Sequence, residues 1–284
     1  MFVPALVVLA VFSYYPMYGI VIAFQNYNPG LGFLRSPWVG LANFRSIFSN
    51  PDFYTVVRNS FVIATSKIIT LQISAIALAL LLNEVASLWL KRTLQTVLYL
   101  PYFLSWIVLG GILLDILSSS GLVAQAFRAM GLESPMFLGS NTWFVPTLVV
   151  TNVWQSVGWS TIIYLAALTA VDPQLHEAAA IDGAGRWQRV RHVTLPGIAS
   201  TVVLLACLNL GNVLQAGFDQ VFTLYNPAVY ATGDILDTYV YRVGLTLGRY
   251  SVGGAVGLFK SVTAMILLII ANKVAKWVGQ PGIW

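Results

Sequence analysis

Charged side chains make up only 9% of the 284 residues, against roughly 25% in soluble domains. So few charges cannot coat a water-facing surface of this size. Histidine is almost missing: His176 and His192 are the two in the chain, and both fall in one short stretch. With the other acids scattered, no His/Asp/Glu constellation for metal binding or acid–base catalysis can be named. The single cysteine, Cys207, cannot close an intramolecular disulfide and reads as a small packing residue in an apolar segment. There is no G-x-x-x-x-G-K-[ST] phosphate loop, so ATP hydrolysis by this chain is not expected. No Lys or Arg precedes Arg35, which argues against a cleaved signal peptide at the start. Met1 opens directly into an apolar helix, so a polar tail is expected ahead of it. Low-complexity tracts and short repeats are also missing.

What fills the chain is apolar surface. Hydrophobic residues reach 58% and the mean hydropathy is +0.78. About 20 apolar residues at helical rise match the hydrocarbon thickness of a bilayer. Six runs qualify: residues 2–24, 59–82, 94–117, 143–168, 198–218 and 252–274. None alternates in polarity as a barrel strand would. The expected fold is an all-α integral membrane bundle of six transmembrane helices, a single domain over residues 1–284.

Six crossings place both ends on one face, and the basic residues choose which. With the ends inside, the inner segments 86–93, 172–196 and 273–284 hold Lys91, Arg92, Arg186, Arg189, Arg191, Lys273 and Lys276. The outer segments 25–58, 118–142 and 219–250 are together roughly twice as long, yet hold only Arg35, Arg45, Arg58, Arg128, Arg242 and Arg249. The denser basic set belongs on the cytoplasmic side. The net charge of +5 is therefore an orientation signal and gives no reason to expect nucleic acid. Trp143, Trp277 and Trp284 are expected to anchor the interfaces.

The most informative cytoplasmic stretch runs from Asp172 to Pro196. Asp172 before Pro173 reads as an N-cap followed by a first-turn proline. Good helix formers continue to Ile181, and Gly183 and Gly185 stop the helix. A second short helix should place Trp187, Val190 and Val193 on one side and Arg189 and His192 on another. The first helix presents Ala178 and Ala179 beside Glu177: small residues admit a partner's groove, and the acid offers an arginine a bidentate contact.

Glu177-Ala178-Ala179, with Gly183 six residues after the Glu and Leu195-Pro196 twelve after that Gly, resembles the EAA loop of ABC importer permeases. The resemblance extends over nearly the whole chain. Tyr15-Pro16-Met17-Tyr18-Gly19, Asn26-Tyr27-Asn28-Pro29, Ser36-Pro37-Trp38, Leu100-Pro101-Tyr102-Phe103 and Gly257-Leu258-Phe259-Lys260 are similar to the polysaccharide and oligosaccharide subgroup, related to the maltose-type permeases. Two positions depart from the pattern: Ser200 stands where many relatives carry a proline, and Val190 replaces a frequent aromatic. The resemblance implies a type I importer permease in a bacterial cytoplasmic membrane, with both ends cytoplasmic, forming half of a sugar path by alternating access. The implied partners are a second permease, cytoplasmic ATP-binding-cassette subunits holding ATP and Mg, an extracytoplasmic solute-binding protein, the sugar and membrane lipid. Residues 172–197 become the ATPase-coupling loop, with Glu177, Ala178, Ala179, Asp182, Gly183, Leu195 and Pro196 as its coupling residues. No cofactor is implied within the chain itself.

Polar residues inside the spans suggest a solute path. Asn209, Asn212 and Gln215 recur three apart, which on a helix would give Asn209 and Asn212 one face. Asn152, Trp154, Gln155 and Trp159 mark the fourth span. Amides suit vicinal hydroxyls and aromatic faces suit sugar C–H surfaces, although amides within spans also serve as interhelical glue. Lys67 and Lys260 lie within spans, where charges are functional candidates; pairing of one with Asp115 is the simple structural outcome. An unpaired lysine would suit an anionic solute such as an alginate fragment. The other classes fare less well. An ion-coupled secondary transporter would want paired intramembrane acids, and a membrane-embedded enzyme would need a catalytic cluster.

Overall fold

The computed structural model describes residues 2–277, so Trp284 lies outside the described residues. Regular structure among them is helical, apart from one isolated antiparallel bridge between Gln25 and Trp38. Two compact units are present: Met1–Ser60 with Asp234–Thr263, and Phe61–Gly233 with Ala264–Trp284.

All six apolar runs are largely helical. Helices Val3–Phe24, Pro51–Asn83 and Tyr250–Trp277 are each long and apolar enough to cross a bilayer. Two bent pairs, Leu88–Phe103 with Trp106–Ile116 and Arg186–Gly197 with Ala199–Leu210, raise the number to five if each pair is one crossing. The fourth run forms the helix Asn141–Thr169. At 29 residues it would span about 43 Å, but Asn141, Asn152, Gln155 and its hydroxyl residues dilute its apolar character. Pro51–Asn83 starts eight residues earlier than the hydropathy pattern suggests. The Asn50 side chain accepts the Asp52 N–H at 3.0 Å and starts the helix ahead of its apolar part.

Two crossings are not straight. The third bends by 98° after Phe103. Pro101 removes a backbone donor there, Leu104 is extended, and Ser105 restarts the helix as an N-cap whose hydroxyl accepts the Val108 N–H at 3.4 Å. The fifth bends by 59° at Ile198, so the bend exists with Ser200 in place of a proline. Its helix then stops at Leu210 rather than continuing to 218, and Gly217, at φ 86°, turns the chain into the short helix Phe218–Leu224. Only glycine adopts that φ without strain.

In the first unit, hydrogen bonds and ion pairs tie the stretch 234–242 to the helices. The Asn59 amide donates to the Asp234 carbonyl at 3.2 Å, and the Leu236 N–H donates to the Ser60 hydroxyl at 2.7 Å. Asp234 is ion-paired with Arg242, and Lys260 Nζ lies 2.5 Å from Asp237 Oδ1. Burial pushes the Asp234 carboxyl above the usual carboxylate range, against the opposing pull of Thr238 and Arg242. The expected pairing of Asp115 with a lysine is therefore not found: Lys260 takes Asp237, and Asp115 is exposed.

In the second unit, Ala75, Ala79 and Leu82 pack against Tyr164, Leu165, Leu168 and Ile198. Small residues let backbones approach, as hydrocarbon-facing bundles favour. At Gly158 a Cβ would fall inside the van der Waals envelope of the Leu98 carbonyl. Gly158→Ala must therefore push the Leu88–Phe103 segment off the Asn141–Thr169 helix. The expected cost is about 1–3 kcal/mol, read as a lowered melting temperature in detergent; an unchanged melting temperature would show that the contact yields freely.

Candidate functional site

The elbow between the fourth and fifth crossings belongs to the second unit. Asp172 caps the helix Pro173–Ile181, its Oδ1 accepting the Gln174 N–H at 2.9 Å. At the other end the amides of Asp182, Gly183 and Ala184 donate to the carbonyls of Ala178, Ala180 and Ala179, and Gly183 holds φ 79°. The sequence cues for a capped start and a glycine stop are met at both ends. The Gly185 N–H donates to Gln188 Oε1 at 2.7 Å, starting a helical segment, Arg186–Gly197, that includes wider π-type turns at Val190–Thr194. The elbow closes back on itself where Gly197 faces Val171.

The exposed surface of this elbow holds Glu177, Ala178, Asp182, Gly183 and Pro196, with Ala179 and Leu195 half-buried. Glu177 has no ion pair among the described residues, and nothing crowds the space above Gly183. On the second helix of the elbow Trp187 is 72% exposed while Val190 and Val193 are half-buried, and wider π-type turns follow at Val190–Thr194. Leu175 and Ile181 are exposed as well, Ile181 by 87%. Sequence reading had passed over these two as ordinary helix formers. These apolar side chains lie exposed next to exposed charge.

The polar residues of the spans separate into different roles. A small cavity of about 130 Å³ is lined by Leu71, Gln72, Trp159, Ser160, Tyr164 and Asn209, among others. Asn209 is thus on a cavity wall, in the last turn of Ala199–Leu210. Asn212 does not share a helical face with it, because the helix has already ended. The Asn212 N–H donates to the Asn209 carbonyl at 2.9 Å in a turn, and its amide reaches the Leu208 carbonyl at 3.4 Å. Gln155 is buried and donates to the Tyr102 carbonyl at 3.3 Å, beside the bend of the third crossing. Trp154 is half exposed and lies off the cavity lining. Trp159 is the aromatic at the wall, stacked on Tyr102 with centroids 4.8 Å apart and planes within 2°. Gln72 and Tyr164 were missed by sequence reading, since an isolated amide and a tyrosine in long apolar helices carry no positional signal.

Lys67 is 6% exposed, and its Nζ donates to the Ala216 carbonyl at 2.5 Å, inside the break of the fifth crossing. It has no acid partner among the described residues. Leu71, one turn further along the same helix, lines the cavity.

Comparison with known proteins follows this geometry. Residues 73–280 match the family model described as "Binding-protein-dependent transport system inner membrane component". The chain is 43% identical to the polygalacturonan/rhamnogalacturonan transport system permease protein YteP of Bacillus subtilis (strain 168), over 100% of the chain and 89% of that protein. It is 42% identical to LplB of the same organism, over 99% and 89%. Among solved structures, it is 33% identical to a chain of a bacterial alginate ABC transporter, crystallised in complex with an alginate pentasaccharide-bound periplasmic protein. The two superpose with a TM-score of 0.91 over 100% of this chain and 95% of that one.

The cap provides a local test of the elbow. Asp172→Ala should cost about 1 kcal/mol of helix stability, hence about fivefold faster amide exchange across residues 173–181. Hydrogen–deuterium exchange that leaves this peptide unchanged would show the helix to be held by other contacts.

Proposed function

The chain belongs to the family of binding-protein-dependent transport system inner membrane components, and we propose that it forms half of the membrane path of an importer for acidic oligosaccharides. It is a permease subunit of an ABC carbohydrate importer and not an enzyme; the ATPase is a separate subunit. The proposal of an acidic solute is carried by full-length likeness to permeases named for polygalacturonan and alginate, both polymers of uronic acids.

The second permease completes the path. A cavity of about 130 Å³ falls short of the roughly 300 Å³ at which ligand pockets begin, so it forms one wall of the path. Asn209, Gln72 and the Tyr102–Trp159 stack supply hydroxyl partners and a flat apolar face to that wall. Lys67 lies one turn behind it and supplies positive charge. The elbow docks on a cytoplasmic ATPase, with Ala178 and Gly183 permitting close approach and Glu177 facing a basic partner. Closure of the ATPase pair pulls the elbows together and exchanges inward-open for outward-open packing. The extracytoplasmic binding protein has differential affinity for those two states, which is what couples delivery to hydrolysis. Both ends of the chain are cytoplasmic in this arrangement, and the chain resides in a bacterial inner membrane.

The coupling part is tested with the assembled transporter in proteoliposomes. Ala178→Trp and Gly183→Asp should abolish ATPase stimulation by the loaded binding protein while the subunits still assemble. Normal stimulation in both variants would remove the elbow from the coupling role. In intact cells Ala178→Cys should react with an impermeant thiol reagent only once the membrane is opened; reaction beforehand would reverse the orientation.

The solute path is tested by initial uptake of acidic and neutral oligosaccharides. Asn209→Leu removes one sugar hydrogen bond and should slow uptake of both about fivefold without lowering the melting temperature. Lys67→Met should reduce uptake of the acidic sugar selectively, with Lys67→Arg retaining it. If Lys67 only braces the Ala216 carbonyl, Lys67→Met will instead melt earlier and lose no selectivity.

A further inference from the structure

At the end of the fifth crossing away from the elbow, the chain break covers a buried charge with unfilled hydrogen-bonding capacity. Lys67 is 6% exposed. Its ammonium carries three N–H bonds, and among the described residues only the Ala216 carbonyl accepts from it, at 2.5 Å. The next residue, Gly217, is exposed. A Cβ placed on Gly217 would meet Lys67 Nζ at 3.2 Å and, its chain neighbours aside, no other atom within 4 Å. The φ of 86° accounts for a glycine at this turn. It does not account for an amine set against the open space where a side chain would stand. Gln215 and Asp219 flank that opening; both are exposed, and Asp219 is in no ion pair among the described residues. Each is two residues from Gly217, so its Cα lies within about 7 Å of the Gly217 Cα.

We propose that this opening is a subsite for one uronic acid ring of the solute, with the sugar carboxylate on Lys67 and ring hydroxyls on Gln215 and Asp219. The inference rests on the reading of the chain as a path for acidic oligosaccharides, and it adds a charged contact to the hydroxyl contacts of the cavity wall. A buried ammonium with two unfilled donors matches a carboxylate, whose two oxygens form charge-assisted hydrogen bonds. The carboxylate reaches it at Gly217 because no side chain stands between. Acyl chains are a poor occupant, since the rim is an amide and a carboxylate, and charged groups at membrane depth face water or the bundle interior. A small inorganic anion would meet repulsion from Asp219. A uronic acid ring turns that acid to use, because its hydroxyls donate to the Asp219 oxygens while its own carboxylate takes the lysine. The same repulsion keeps the ring from binding too firmly, as a transport path requires.

The test uses the assembled transporter and its binding protein in proteoliposomes, with trigalacturonate as the sugar. Asp219→Cys and Gln215→Cys are made at exposed positions, and the wild-type chain, whose Cys207 is buried, serves as the blank. An anionic thiosulfonate should modify Asp219→Cys about fivefold faster than a neutral one, the effect of one charge at close range in water. Adding Lys67→Met should remove that bias. With the ATPase arrested by vanadate, trigalacturonate delivered by the binding protein should protect both cysteine variants from modification. Wild-type import of trigalacturonate with neither charge bias nor protection would overturn the subsite and leave the acidic-oligosaccharide reading standing. Failure of the wild-type transporter to import trigalacturonate would remove that reading and the subsite with it. Equal protection by inorganic phosphate would make the opening a general anion site and overturn the proposal.

Discussion

A bilayer interior offers a backbone N–H or C=O no water to bond, so every interruption of a spanning helix must be repaired by the protein itself. In the second unit the repairs are visible one by one. Lys67 reaches the Ala216 carbonyl in the break of the fifth crossing, and Gln155 reaches the Tyr102 carbonyl beside the bend of the third. Two further amides bond carbonyls inside regular helices: Gln72 donates to the Val202 carbonyl at 3.1 Å, and Gln220 donates to the Leu148 carbonyl at 2.9 Å and the Thr151 hydroxyl at 2.8 Å. These four polar residues are therefore first of all partners of backbone carbonyls, two of them at breaks. Gln72 is the one of the four that also borders the cavity.

The breaks have a mechanical meaning for an alternating-access protein. A straight helix transmits displacement along its length, while a crossing that bends by 98° or 59° presents separate segments, joined by extended Leu104 and Ser105 in the third and by the single residue Ile198 in the fifth. The segments are still tightly fitted. A Cβ at Gly110 would overlap Thr223, and one at Gly158 would overlap the Leu98 carbonyl. Close backbone contact of this kind favours discrete alternative packings over continuous deformation. The elbow Pro173–Gly197 is continuous with the bent fifth crossing, so in the proposed coupling role a pull on its exposed face would act next to that bend.

Much of the elbow was legible in advance. Asp172, Pro173 and Gly183 are punctuation with a local physical cause, and each performs the expected task, while Gly185, expected to help stop the first helix, instead starts the second. The inward-facing amides were less legible. Asn209 and Asn212 look equivalent at a spacing of three, but equivalence requires a continuous helix, and the helix ends at Leu210. Trp187 is placed by spacing on one side with Val190 and Val193, yet it is exposed while the two valines are half-buried. Asp115 and the two lysines form a plausible set on paper, while Lys260 finds Asp237 in the outer segment instead.

Composition and periodicity alone determined the membrane class, the helical fold, the apolar runs and the capped elbow, because each depends on local propensity or on hydrophobic length. The EAA spacing, seen through its resemblance to known permeases, added the importer family. Tertiary structure decided where the third and fifth crossings break, which amides brace a carbonyl and which border the cavity, and which partner each intramembrane lysine takes. Those outcomes depend on a backbone group left unpaired at a bend and on whichever distant side chain comes within about 3 Å of it. Spacing along the chain does not carry that distance.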